Sequence, residues 1–477
     1  MKKLVLINPH PQDHFGEENI SVLVQMPLNL GYIAALTPKD WEVDIIDECI
    51  ETALDEKGNL KFDTTGVKLV GITAVSYQAP RAYVIARACK KHNIPAVIGG
   101  PHSSTLPDEV AGQADAAIVG EAEGVWADVI RDVERGQLKN QYHGGLTPLN
   151  KLKNVHPDRE LLKKKYGYRY SSIITTRGCP NLCDFCAVPV FQGRKYRERP
   201  VEDVLAEMAA TDYKGLMFAE DNFYGHSKVS NERARALFKG MTERNIIKDW
   251  FGFTALNTTS DEECLKYMAS SGCLGVLIGI ESLDEEVLKN MNKRVNIRMG
   301  VDSYRKGIEN LHRHGIICWG SVIFGADGDK KGNFKRMTDF ALETGMDILT
   351  FGLYTPMPMT ASFRRLTDEG RIFRNNFPED WYYYNSNHLV FALKDMPLED
   401  FIEGMEYVYE NLYSREALRK RFDKTLAETS NSKTAMFAYR INIDWRVVFK
   451  SVINDLKILH DSGVYTGVKS RSQVAMT

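Results

Sequence analysis

Several features that mark common classes of protein are missing from this sequence of 477 residues. No run of about 18 apolar residues is present, so we expect no membrane-spanning helix. The net charge is only −2, and without an overall basic field the sequence does not indicate nucleic-acid binding. The first residues contain too short an apolar stretch for a secretory signal peptide.

Cysteine is also scarce, with eight in the whole chain. Three of the eight stand close together, which does not resemble the evenly used cysteines of a disulfide framework. Such usage fits a reducing compartment, and we expect a cytoplasmic location.

The clustered cysteines are Cys179, Cys183 and Cys186, at C-x3-C-x2-C spacing. Thiolates hold iron–sulfur clusters, and a [4Fe–4S] cube normally takes four of them, so three ligands leave one iron open. Gly178 and Pro180 indicate a loop. Zinc sites usually show two C-x2-C pairs or additional histidines, and ferredoxin sites have a fourth cysteine nearby, but neither pattern occurs around this loop. Three chance cysteines in a reduced chain are the remaining alternative.

Residues 1–145 show short apolar strands that alternate with helices, which predicts a parallel, doubly wound α/β sheet. No G-x-G-x-x-G opens a helix after the first strand, so a dinucleotide is disfavoured as ligand. Such sheets bind ligands at the carboxyl ends of their strands. The candidate ligand-binding residues at these ends are Asn8, Ser76, Tyr77, Gln78, Gly99, Gly100, His102, Gly120 and Glu121.

A second alternation of strands and helices covers residues 170–360 and predicts a TIM-like barrel, complete or partial. Polar residues follow the carboxyl ends of its strands: Glu220 and Asp221, then Asn257, then Glu281. Helix N-capping is the alternative explanation for some of them, because short polar side chains cap helices well. For Asn257 the two explanations stay open.

The cysteine motif, with Phe185 before its last cysteine, resembles the radical S-adenosylmethionine (SAM) superfamily. Residues 1–145 resemble the cobalamin-binding domain that is fused to many of these enzymes, through Gly99-Gly100-Pro101-His102, Gly120-Glu121-Ala122-Glu123 and the helix that follows Pro27. The resemblance implies a [4Fe–4S] cluster on the three cysteines, SAM at the open iron, and cobalamin. A domain that has lost cobalamin binding is the alternative.

The resemblance also implies roles for single residues in the barrel. Glu220 and Asp221 match the acidic pair that receives the SAM amino group. Asn257 matches a polar residue near the SAM carboxylate or ribose, and Glu281 matches a carboxylate that contacts the ribose. Phe324 matches the strand that borders the adenine.

In the first domain, no D-x-H-x-x-G is present, so no histidine is marked as the lower cobalt ligand. His102 is therefore expected to shape the corrin pocket. The loop of Ser76, Tyr77 and Gln78 is expected on the lower face of the corrin.

The implied architecture is α/β and has three parts. A doubly wound, Rossmann-like cobalamin-binding domain (1–145) and a linker (146–169) precede a partial (β/α)6 TIM-like radical SAM barrel (170–360). A mainly helical C-terminal extension (361–477) then binds substrate or caps the barrel. Residues 381–384 are four consecutive aromatics, which either pack against the barrel mouth or contact substrate.

The implied function is that of a cobalamin-dependent radical SAM C-methyltransferase, similar to hopanoid methylases and bacteriochlorophyll-pathway enzymes. In that family a 5′-deoxyadenosyl radical activates an unreactive carbon and methylcobalamin supplies the methyl group. The expected partners are a lipid, chlorin or other natural product, or a protein side chain, together with a low-potential electron donor such as ferredoxin or flavodoxin. The alternatives are a non-methylating oxidative cyclase or ring-forming lipid enzyme, and a sensor that binds cobalamin and the cluster.

Overall fold

The computed structural model of the protein describes residues 2–10, 25–152, 155–225 and 227–465. The chain divides into two compact units. The first comprises Met1–Cys179, Ala187–Tyr213 and Asn376–Tyr382, and the second comprises Pro180–Cys186, Lys214–Asn375 and Tyr383–Thr477. The boundaries that the sequence suggests at 145, 169 and 360 stay a prediction.

The first unit contains nine described strands and eight described α-helices. The strands are β1 (Lys2–Asn8), β2 (Trp41–Asp47), β3 (Val67–Thr73), β4 (Ala96–Gly99), β5 (Ala116–Gly120), β6 (Gln141–Gly145), β7 (Tyr170–Ile173), β8 (Thr176–Arg177) and β9 (Arg197–Glu198). The helices are α1 (Leu28–Leu36), α2 (Ala79–Lys91), α3 (Pro101–Thr105), α4 (Pro107–Gln113), α5 (Trp126–Glu134), α6 (Arg159–Lys165), α7 (Val188–Phe191) and α8 (Val201–Ala210).

Six of these strands form a parallel sheet in the order β2-β1-β3-β4-β5-β6. Alternate residues of β1 pack into two separate apolar clusters, Val5 and Ile7 in one, Leu4 and Leu6 in the other. Burial on both faces is what helices on both sides of a parallel sheet produce. The predicted doubly wound sheet is confirmed, while β6 is a strand that the sequence did not predict.

The second unit repeats a strand–helix alternation and ends in helices. Its strands are β10 (Gly215–Phe218), β11 (Asp249–Thr254), β12 (Cys273–Glu281), β13 (Ile317–Phe324) and β14 (Ile348–Leu353). Its helices are α9 (Lys228–Glu243), α10 (Glu262–Ser270), α11 (Glu285–Asn290), α12 (Arg294–Met299), α13 (Asp302–Arg313), α14 (Lys331–Thr344), α15 (Ala361–Asp368), α16 (Leu398–Tyr413), α17 (Arg415–Thr429) and α18 (Ser432–Asp461).

Neighbouring strands of the second unit pair in parallel, in the order β14-β13-β12-β11-β10. Their carboxyl ends therefore lie along one edge, where barrels of this kind carry their active sites. Helices α16, α17 and α18 pack against one another, which confirms the helical C-terminal region.

Membrane-crossing helices require both length and continuous apolarity. Within the ranges given above, no helix meets both requirements, and this includes the 30-residue α18.

Gly120, at the end of β5, should lose more stability on substitution by alanine than Gly136 does. It has φ +79°, and a Cβ there would lie 2.6 Å from the Gly145 carbonyl oxygen, whereas Gly136 has φ +64° and open space around a Cβ. Gly136→Ala should therefore incur only the left-handed backbone cost, roughly 1–2 kcal/mol, and Gly120→Ala should cost more. Thermal unfolding followed by tryptophan fluorescence checks this order, and equal unfolding temperatures for the two variants would contradict it.

Candidate active site

The three clustered cysteines lie between β8 and α7, and we call residues 179–186 the cysteine loop. Cys179, Cys183 and Cys186 are half-buried, whereas four of the other five cysteines are buried core residues. Gly178, immediately before the loop, has φ +85°, and a side chain there would collide with the Lys195 carbonyl oxygen. The close approach of the two backbones therefore requires glycine.

The candidate donors in this loop are the thiols of Cys179, Cys183 and Cys186. Among the described residues, no three His, Cys, Asp or Glu side chains converge as they would around one metal ion. A zinc ion needs its donors within about 2.0–2.3 Å of one point. An iron–sulfur cube instead takes its thiolates on separate irons, and the C-x3-C-x2-C spacing along the chain is the observation that favours it.

Two hydrogen bonds attach the cysteine loop to the turn between α11 and α12. The Asp184 amide donates to the Met291 carbonyl at 3.2 Å. The Asn292 side-chain amide donates to the Leu182 carbonyl at 2.6 Å. The loop therefore rests on residues that follow β12.

A second attachment joins the loop to the end of β14. The Tyr354 hydroxyl donates to Asp184 Oδ2 at 2.9 Å, and the Ser362 amide donates to the Asp184 carbonyl at 3.1 Å. The Phe185 ring meets the Tyr354 ring edge-on at 6.1 Å. Burial raises the pKa of the Asp184 carboxyl. Together the two attachments place Cys183 and Cys186 at the carboxyl edge of the strands.

The acidic pair after β10 lies at the same edge. Glu220 is buried and Asp221 is exposed, yet desolvation by the surrounding protein raises the pKa of Asp221 to about 6. Asn222 anchors this loop, because its Oδ1 accepts hydrogen bonds from the Thr254 hydroxyl and the Ala255 amide, each at 3.3 Å.

Asn257 lies in a 3₁₀ turn after β11, and its Oδ1 is buried with no hydrogen-bond partner. Helix α10 is capped instead by Asp261, whose carboxylate accepts from the Cys264 amide at 3.1 Å. Capping of α10 therefore does not explain Asn257. A buried acceptor without a partner is rare in native structures and points to a donor on a ligand.

Glu281 ends β12 in a left-handed conformation, φ +60°, which is strained for a residue other than glycine. Its carboxylate is buried and pairs with Lys293. Burial acts to lower the pKa of Lys293, but attraction to Glu281, Cys183 and Cys186 outweighs it and the pKa is raised. The ammonium therefore stays charged.

Phe324, at the end of β13, lines one narrow cavity together with Glu281. Its ring is buried and stacks on Phe334 with a centroid distance of 4.5 Å. Asp329 lines the same cavity and accepts from the Gly325 amide at 2.9 Å. The structure thus brings together two of the residues that the sequence placed around SAM.

In the first unit, Asn8 and Gln78 lie at the carboxyl ends of β1 and β3. The Asn8 amide donates to Asp47 at 2.9 Å, and the Gln78 amide donates to the Pro9 carbonyl at 2.7 Å. These two side-chain amides therefore brace the loops after β1 and β3. The neighbouring Tyr77 is half-buried, and burial raises the pKa of its hydroxyl to about 12. Their contact with a corrin stays a prediction.

The glycines after β4 permit a close approach of backbones. Gly100 has φ +94°, and a Cβ there would lie 2.9 Å from the Ala74 carbonyl oxygen. Gly99 precedes it at the end of β4 and is half-buried. The turn after β4 therefore packs its backbone directly against the residues that follow β3.

His102 is fully buried in α3 and is held at both ring nitrogens. Nε2 lies 2.9 Å from the Tyr83 hydroxyl and 3.2 Å from Glu109, and Nδ1 lies 3.2 Å from the Ser76 hydroxyl. Trp381 packs edge-on against the imidazole at 5.8 Å and donates to Glu109 at 3.0 Å. The first of the four consecutive aromatics is therefore a packing residue, and His102 has a bracing role.

Glu121, after β5, is buried in a network of arginines. Its carboxylate accepts from Arg197 at 2.6 and 3.0 Å and lies 3.1 Å from Arg177. Burial opposes ionisation, but the two guanidinium groups outweigh it and lower the pKa of Glu121. Arg177 also pairs with Glu123 at 2.6 Å. Since Arg177 precedes Cys179 by two residues, the network positions the strand that enters the cysteine loop.

Sequence reasoning did not identify Asp184, Lys293 or Arg177 as part of the site. Asp184 lies inside the motif, so its position alone was a usable signal. The other two act through partners far along the chain, and no local pattern marks them.

Three families of known proteins match segments of the sequence: the Radical SAM superfamily over residues 173–341, the B12 binding domain over residues 22–130, and a domain of unknown function (DUF4070) over residues 360–474. The sequence is 31% identical over 431 residues to bacteriochlorophyllide d C-12(1)-methyltransferase of Chlorobaculum tepidum, which covers 88% of this chain and 89% of that protein.

A second relative has a different activity in its name. The anaerobic magnesium-protoporphyrin IX monomethyl ester cyclase of Rubrivivax gelatinosus is 24% identical over 400 residues, covering 76% of this chain and 70% of that protein. The fold is similar to that of TsrM from Kitasatospora setae, a radical SAM methyltransferase solved with cobalamin and a [4Fe–4S] cluster bound. The TM-score is 0.66 at 14% identity, over 97% of this chain and 100% of that one.

Proposed function

Because this chain belongs to the family of B12-dependent radical SAM methyltransferases, we propose that it methylates an unactivated carbon of a hydrophobic natural product. Chlorin-type tetrapyrroles are the first substrate class to test, since the relative with 31% identity carries a bacteriochlorophyllide in its name. The observation that carries the proposal is the position of Cys183 and Cys186 at the edge where Glu281 and Phe324 line one cavity. Lipids and protein side chains are the next classes.

The family's cofactors are a [4Fe–4S] cluster, SAM and cobalamin. When bound, the cluster and SAM supply a 5′-deoxyadenosyl radical, and cobalamin supplies the methyl group. We assign the cluster to Cys179, Cys183 and Cys186, whose half-buried thiols suit that group. Phe185 and its contact with Tyr354 hold the loop in place.

The residues around the proposed SAM site offer acceptors where SAM has donors. Glu220 and Asp221 provide carboxylates for the amino group, and the unpartnered Oδ1 of Asn257 accepts from a hydroxyl. Glu281, which pairs with Lys293, offers its carboxylate to the ribose hydroxyls. Phe324 supplies an apolar surface for the adenine.

The proposed cobalamin site is the carboxyl edge of the first sheet. Gly100 and Gly120 lie there in left-handed conformations that favour glycine, and their lack of a side chain lets the loops at this edge pack directly against Ala74 and Gly145. His102 is engaged at both nitrogens, so it braces this edge and does not ligate cobalt. The remaining candidates, Ser76, Tyr77, Gln78, Gly99, Asn8 and Glu121, shape the loops around it.

A cyclase is the second candidate function, favoured by the 24% identity to the tetrapyrrole ester cyclase. It would use the same three cofactor sites without adding carbon. In either case we propose a ferredoxin or flavodoxin as electron donor and the cytoplasm as location.

Asp221→Asn should weaken SAM binding and remove part of its pH dependence. In the wild type, the Asp221 carboxyl becomes protonated as the pH falls below its pKa of about 6. The SAM ammonium then loses an ionised hydrogen-bond acceptor. The dissociation constant should rise about tenfold between pH 7 and pH 5, as expected for one group with that pKa. At pH 7, the variant should lose about 1.5–3 kcal/mol of binding free energy.

Calorimetric titration of the reconstituted protein with SAM measures both effects. Asp368→Asn, at an exposed aspartate on α15, is the matched control and should bind like the wild type. If Asp221→Asn binds SAM with wild-type affinity and wild-type pH dependence, Asp221 does not bind SAM.

Methyl transfer should consume SAM in two ways. Turnover with methyl-labelled SAM should yield S-adenosylhomocysteine and 5′-deoxyadenosine in near-equal amounts, and the substrate should gain one labelled methyl group. Mass spectrometry of chlorin-type candidates incubated with reconstituted enzyme checks this. A substrate that loses hydrogen and gains no labelled carbon, with 5′-deoxyadenosine as the main nucleoside product, would establish the cyclase instead.

A further inference from the structure

Lys293 is a nearly buried lysine in the turn that supports the cysteine loop. About one sixth of its side chain is exposed (17%) and its partner Glu281 is more buried still (7%). Lysine ammonium groups are almost never this buried without a specific role or partner. The pair therefore resides in a medium where its field is screened much less than at the surface.

The position of the ammonium is set by the end of β12. A Cβ on Gly279 would lie 2.8 Å from Lys293 Nζ, so the ion pair occupies the space that a side chain at residue 279 would fill. Asn296 fastens the following helix to the same strand, since its amide donates to the Gly279 carbonyl at 2.9 Å and the Ile280 carbonyl at 3.1 Å. Two contacts therefore hold Lys293 at the end of β12: its ion pair with Glu281, and the hydrogen bonds of Asn296 to the strand.

The same turn contacts the cysteine loop. Met291 and Asn292, the two residues before Lys293, form the hydrogen bonds to Asp184 and Leu182. Lys293 and Cys183 also line one cavity of about 130 Å³. The buried positive charge therefore lies between the strand-end carboxylate and the loop that carries Cys183 and Cys186.

We propose that Lys293 is a positioning residue that raises the reduction potential of the cluster by placing a fixed, buried positive charge beside its ligand loop. The inference rests on the proposed function, which puts the cluster on this loop. One-electron reduction adds one negative charge to the cluster, and a nearby cation stabilises the reduced form. Glu281 offsets part of that field and so sets its strength.

Opposite shifts in potential test this account. Lys293→Met removes the positive charge and should make the midpoint potential of the cluster more negative than in the wild type. Glu281→Gln removes the offsetting negative charge and should make the potential more positive. Lys293→Arg, which keeps the charge, should stay near the wild-type value. A purely structural ion pair does not produce shifts of opposite sign.

The measurement is a dye-mediated redox titration of anaerobically reconstituted protein without SAM, followed by electron paramagnetic resonance, with iron content determined for each sample. Lys289→Met is the matched control, because Lys289 is exposed and pairs only with Glu285 on the same helix among the described residues. It should titrate like the wild type.

Gly279→Ala gives a second route should Lys293→Met assemble no cluster, since the added Cβ displaces the ion pair while both charges remain in the chain. It should also lower the potential. Lys293→Met with a full iron complement and a wild-type midpoint potential would overturn the role of Lys293. If Lys293→Met assembles no cluster, a wild-type potential in Gly279→Ala would do the same. Either result would leave the proposed function standing. A wild-type protein that assembles no cluster on this loop would overturn both.

Discussion

The attachment of the cysteine loop to the edge of a parallel sheet is the constraint on which the site depends. Asp184 is hydrogen-bonded both to Met291, beyond β12, and to Tyr354, directly after β14. These bonds hold two of the three cysteines at the edge where the strands end in acids and in Asn257, whose Oδ1 is buried without a hydrogen-bond partner. A loop with the same cysteines but without these anchors would leave the thiols free to move away from the polar strand ends.

Each unit contains buried ion pairs next to candidate site residues. In the first, Glu121 and Glu123 neutralise Arg177 just before the cysteine loop. In the second, Glu281 neutralises Lys293 beneath it. Buried charges are costly unless they are paired, so each pair fixes its backbone segments against one another. In the proposed function the cofactors carry the chemistry, and these ion pairs fix the backbone segments to which we assign the cluster and SAM.

The sequence predicted those parts of the site that depend on local spacing. The cysteine loop, the family, the parallel sheets and the polar strand ends were accessible because each is encoded within a few residues. The role proposed for Lys293 was not predictable from the sequence. It depends on Glu281, at the end of β12 and twelve positions earlier, and on the cysteine loop, more than a hundred residues away. The same limit applies to Glu121, whose arginine partners follow it by more than fifty residues, and to β6, which is too short and glycine-rich to stand out.

We propose that the three cysteines leave one iron of the cluster open for SAM at this sheet edge. Electron–nuclear double resonance on the reduced, reconstituted protein with SAM labelled with ¹⁵N at its amino group tests it most directly. If SAM binds at the open iron, we expect a nitrogen coupling large enough to require direct ligation of the amino group to that iron. A cluster signal that is unchanged by SAM, with no nitrogen coupling, would contradict it.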